Sequence, residues 1–156
     1  MNLLFAARTG VFEALTLGLG YLNQEDQLET SSVFGNMETE KAGELIYLGK
    51  SGDDDIYCVG NKHLDIVVRI NEEINTLLGQ TDSPSLKVIP VSVPGNESLY
   101  PLSRLAMLPL VGSFFTARAK SSTLKIKDQL VSAGKNFRAV NPAPAQAAAK
   151  PLPDPR

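Results

Sequence analysis

The first 22 residues, MNLLFAARTGVFEALTLGLGYL, constrain the fold more than any other stretch. Leu3-Leu4-Phe5-Ala6-Ala7 is a short, continuous apolar run, the length and character of a strand buried on both faces. A break at Arg8-Thr9-Gly10 precedes apolar residues at helical spacing: Val11, Ala14, Leu15, Gly18, Leu19 and Leu22. Strand, tight turn and helix make the first half of a βαβ unit. The chain is therefore expected to form a small three-layer, Rossmann-like α/β domain with a mostly parallel sheet. In such folds ligands sit at the carboxyl ends of the strands, here beside Arg8, Thr9 and Gly10. A helix start offers unpaired N–H groups and about half a positive charge, so these residues are expected to hold a small anionic molecule. The competing expectation is that Arg8 pairs with one of the carboxylates between Asn23 and Glu44. Either outcome marks a place on the molecule, not a reaction.

Asn23 to Ala42 is polar and acidic, with isolated Leu28, Val33, Phe34 and Met37. It reads as a long surface connection, part of it a short helix, anchored by those few apolar residues. Glu44 to Gly60 reads as a β-hairpin: Leu45–Leu48 and Ile56–Val59 flank a break from Gly49 to Asp55. Asp53, Asp54 and Asp55 lack the donor spacing of a calcium loop and are expected in a solvated turn. Asn61 to Gly79 is the clearest helix, with Asn61 as N-cap and Gly79 as stop. Its apolar stripe is Leu64, Val67, Val68, Ile74, Leu77 and Leu78. His63, the single histidine, is expected at the surface of its first turn.

Leu86 to Val93 is the next strand, and Pro90 ends it near Ile89 or places it at a bulge or edge. If it neighbours the first strand, as crossover rules favour, Pro94-Gly95-Asn96 lies beside Arg8-Thr9-Gly10. Asn96 and Arg104 then join Arg8, Thr9 and Gly10 as candidate ligand-binding residues. Pro101 suits a first helical turn, and Pro109 must kink or divide the helix that follows. Leu105 to Ala117 is nearly all apolar but too short to span a bilayer, and core packing is expected. The alternative uses Leu105 to Lys127 as an exposed patch, its cations Arg118, Lys120, Lys125 and Lys127 meeting a protein partner or an anionic membrane surface. Exposure separates the two. Thr123 to Ile126 is read as a short β-like piece, followed by a weak helix ending near Gly134.

Charge is unevenly spread. Residues 1–60 hold three Lys/Arg against ten Asp/Glu, whereas residues 99–156 hold nine against two. The two ends are expected to face each other or merely to diversify the surface; the alternative is a basic face for an acidic partner or lipid headgroups, and nucleic acid is not expected. One Cys and one His leave no multi-cysteine zinc site and no legible nucleophile–base pair, so neither a metal nor a cofactor is nominated. Cys58 sits in Ile56-Tyr57-Cys58-Val59, where an inert buried thiol is expected. The apolar start lacks a basic n-region, and no apolar run nears a membrane span, so a cytoplasmic protein is expected. Asn141 to Arg156 is nearly all Pro, Ala and isolated charges, the composition of a disordered tail after a single domain over residues 1–140.

The order of the pieces carries a family likeness. A strand at the amino terminus turns through glycine into a helix, and the hairpin ELIYLGK…DIYCVG follows. A second helix and a strand then lead into Leu99-Tyr100-Pro101-Leu102-Ser103-Arg104-Leu105. Over roughly residues 1 to 130 this resembles the uncharacterised bacterial family called domain of unknown function 3189, found mainly in Gram-positive spore formers. In that family the first turn is richer in glycine and histidine than Ala7-Arg8-Thr9-Gly10, and a firmer strand stands where Thr123–Ile126 is here. The chain thus resembles a divergent member, and the resemblance implies no activity.

Overall fold

The computed structural model describes residues 2–79, 86–94 and 97–140. The expected tail at 141–156 and the candidate Asn96 lie outside the described residues. Strand β1 (Asn2–Ala7) is the hub of a four-stranded sheet ordered β2-β3-β1-β4, with β2 at Ile46–Ser51, β3 at Asp54–Gly60 and β4 at Leu86–Pro90. It pairs in parallel with β3 (Leu4 beside Tyr57) and with β4 (Leu4 beside Val88), while β2 runs antiparallel to β3. This is the mixed, mostly parallel α/β arrangement with a hairpin that the residue pattern predicts.

Alternation along β1 feeds two cores. Leu3, Phe5 and Ala7 join the larger cluster, and Leu4 and Ala6 the smaller one on the opposite face. The larger core lies under a π-helical turn (Gly10–Ala14) continuing into α1 (Leu15–Leu22), and under α6 (Lys127–Val140). Phe5 meets Tyr21 and Phe137 at ring-centroid distances of 5.4 and 6.0 Å. The acidic connection is pinned there by Leu28 and Phe34, both buried, and contains the short helix α2 (Met37–Ala42).

The smaller core is covered by α3 (Leu64–Leu78), whose Leu64 and Val67 pack on Leu4, Ala6 and Val59. Asn75 fixes α3 to the sheet edge, donating to the Leu86 carbonyl at 2.6 Å and accepting from the Leu86 N–H at 3.2 Å. The expected stripe is only partly buried: Ile74 and Leu77 are exposed, as are Ile66 and Ile70. Asn61 is not the N-cap. That position is His63, exposed, and the Asn61 side-chain Oδ1 accepts from the His63 N–H instead.

Three further expectations are corrected. The hairpin strands run on to Ser51 and from Asp54, so Gly52 (φ 64°) and Asp53 form the turn and Asp54 is buried. Asp55 pairs with Lys50 across the strands and accepts from the Tyr47 hydroxyl. Thr123–Ile126 is not a strand: Thr123 to Lys125 form the end of α5 (Gly112–Lys125), Ile126 is the turn into α6, and Gly134 lies inside α6, not at a stop. A Cβ at Gly134 would sit 2.3 Å from the Leu17 carbonyl oxygen, so glycine there permits the close crossing of α1 and α6.

The third concerns the apolar run. Pro109 does divide it, into α4 (Leu99–Ala106) and α5. Yet Leu105, Leu108, Leu110, Val111 and Phe114 are exposed, so this is a surface patch and not core. The two helices attach instead through Leu99, which is fully buried in the larger core, and through the smaller Ser103, Ala106, Ala119 and Thr123, also buried.

Candidate functional site

β1 ends at Ala7, and Arg8 projects into solvent beside the start of the next helix. Thr9 is extended (φ −126°), and its hydroxyl accepts from the Glu13 N–H at 3.2 Å. The Glu13 carboxylate in turn accepts from the Thr9 N–H at 3.1 Å and the Thr9 hydroxyl at 2.8 Å. This reciprocal cap satisfies two of the orphan groups at a helix start. Gly10 serves close approach: a Cβ there would lie 2.5 Å from the Gly60 backbone nitrogen at the end of β3.

The N–H groups of Gly10 and Val11 both donate to one oxygen of Glu40, each at 2.9 Å. The anion that a helix start attracts is therefore supplied from within, by α2 of the acidic connection. Burial pushes the Glu40 carboxyl above its ordinary value, against the opposing pull of the two N–H donors. The expectation that this helix start offers unpaired N–H groups to an external ligand is thus corrected: those of Thr9, Gly10 and Val11 each already donate to a carboxylate. The competing expectation is also corrected. An acid of the connection does fill the turn, but it takes the backbone, and Arg8 makes no ion pair among the described residues.

Arg8 instead borders two cavities. The smaller, ≈ 80 Å³, gathers Arg8, Lys62, Arg104, Tyr100 and Glu40. Lys62 follows the carboxyl end of β3, and Arg104 comes from the last turn of α4. The larger, ≈ 490 Å³, has Arg8 with Glu13, Glu97 and Ser92 on its wall. Two candidates, Arg8 and Arg104, are therefore brought together, whereas Thr9 and Gly10 serve the turn itself. Lys62, Tyr100 and Glu40 were not singled out from the sequence. Lys62 was within reach of the strand-end rule, applied to the second parallel strand as it was to the first.

Chemically the small cavity offers three cations and one carboxylate. Cys58 lies behind it, fully buried, with its Sγ 3.9 Å from the Gly10 carbonyl. Burial pushes its thiol far up, which makes it a packing residue and not a nucleophile. Among the described residues no three side chains cluster as metal ligands. Comparison of the chain with protein-family models, with curated proteins and with solved structures gives no match.

Proposed function

We propose that this domain binds a small molecule through a single anionic group, a phosphate or a carboxylate, held between Arg8, Lys62 and Arg104. One observation carries the reading: three cations from three separate segments line one cavity of ≈ 80 Å³, and none forms an ion pair among the described residues. Their mutual repulsion is relieved when an anion enters, and each can add a charge-assisted hydrogen bond. The cavity suits one phosphate-sized group. The neighbouring cavity, with Glu13 and Glu97 on its wall, disfavours a second anionic group and so argues against a polyphosphate. We also propose, from the residue likeness alone, that the chain is a divergent relative of domain of unknown function 3189; that relation brings no activity with it.

A thermal-shift series with inorganic phosphate, nucleoside monophosphates and simple carboxylates tests the proposal, because a ligand bound to the native state raises the unfolding midpoint. The parent should be stabilised by at least one of them, and Arg8→Ala should lose that response while keeping the parent's own midpoint. If no anion shifts the parent, or if Arg8→Ala responds as the parent does, the reading fails.

A further inference from the structure

The hairpin of α4 and α5 presents an apolar tip that the anion site does not use. Between the helices, Leu108 and Val111 are about half exposed and Leu110 is completely exposed; Phe114, one turn into α5, is 63% exposed. Scattered surface leucines are ordinary, but four such residues within seven positions are a patch that marks a contact surface. The tip is firmly set. A Cβ at Gly112 would lie 2.4 Å from the Ala106 carbonyl oxygen, so α5 begins pressed against the end of α4.

The charge around it is one-sided. From Ser98 to Lys127 there are five Lys/Arg and no Asp/Glu. Arg118 and Lys125 are exposed on α5, and Arg104 is exposed in the last turn of α4. Lys127 is drawn off to Glu29 at 3.5 Å, and Lys120 lies over the Phe34 ring, so these two face the body of the domain. A projecting apolar tip with unneutralised cations on its helices fits a surface that is densely anionic outside and apolar beneath. No described helix is long and apolar enough to cross a membrane, so the contact is peripheral. We propose that the α4–α5 tip docks on anionic lipid bilayers, inserting Leu110 and Phe114 at the headgroup–acyl boundary while Arg118 and Lys125 meet lipid phosphates.

Co-sedimentation of the full chain with phosphatidylcholine vesicles, with and without phosphatidylserine, tests this. The parent should pellet with the phosphatidylserine vesicles and much less with phosphatidylcholine alone, and added salt should weaken the binding. Leu110→Ser with Phe114→Ser should reduce the partition coefficient by about tenfold or more, and Arg118→Gln by about fivefold. All these positions are exposed, so an unchanged urea midpoint will show that the variants keep the fold. The proposal is overturned if the parent ignores phosphatidylserine or if the double variant pellets as the parent does. It is overturned equally if the parent self-associates through the tip, shown by a concentration-dependent mass that the double variant lacks, without binding vesicles.

Discussion

Glu40 satisfies the start of the helix after β1, and its removal should be felt there first. Glu40→Ala would leave the Gly10 and Val11 N–H groups without their acceptor, and urea unfolding should show a loss of about 1–3 kcal/mol. Glu40→Gln keeps an oxygen for those donors and removes the buried charge. Burial holds the folded carboxyl above its unfolded value, so the native state binds that proton more tightly. The group's contribution to stability is then fully present below the unfolded pKa and declines as pH rises through the folded one. Glu40→Gln does not titrate, so it should gain on the parent as pH rises above the ordinary carboxylate range of about 4. A difference that is flat or reversed as pH rises would contradict this account. Nothing in the sequence distinguishes Glu40 from the nine other acids of residues 1–60, because its role depends on α2 folding back over the turn. Arg8, by contrast, was legible, since the end of an apolar strand followed by a helix identifies it without tertiary information.

The elements were legible where period and punctuation agreed, as in β1, the hairpin and α3. The C-terminal third was harder. Thr123 is β-branched and Gly134 looks like a stop, yet α5 runs through the first and α6 through the second because their helical packing outweighs local preference, with Ile126 as the turn between them. At an exposed helix interior, Gly→Ala would stabilise by about 1 kcal/mol. At Gly134 the added methyl would press on α1, so Gly134→Ala should instead destabilise by about 1–3 kcal/mol in chemical unfolding. An increase in stability would show that α1 and α6 are not held at this distance. The Leu105–Ala117 run misled for a different reason: apolar content does not say which way a hairpin tip points. Leu108→Ala should accordingly cost less than about 0.5 kcal/mol, the range of a surface substitution. A cost of about 2–5 kcal/mol would restore the core reading.

At the scale of the whole molecule, the opposed charges of the two ends have a structural outlet. Lys127 reaches Glu29, and Lys135 hydrogen-bonds Glu25 and holds that carboxyl below its ordinary value, so α6 is laid against the acidic connection. Arg8, Lys62 and Arg104 take no part in those pairs and are left at the carboxyl ends of β1 and β3. Their meeting depends on strand order and on the return of α4 to the sheet, neither of which local pattern can supply. Titrating the isotope-labelled chain with inorganic phosphate while following backbone amides and arginine side chains tests this convergence most directly. Saturable shifts should appear at Asn61, Lys62 and the guanidinium groups of Arg8 and Arg104, with Gly10 and Val11 staying bonded to Glu40. Arg104→Ala should weaken the apparent affinity by about tenfold or more, the loss expected for one charge-assisted hydrogen bond. No saturable shift, or shifts centred on Gly10 and Val11 with Glu40 displaced, would contradict the site.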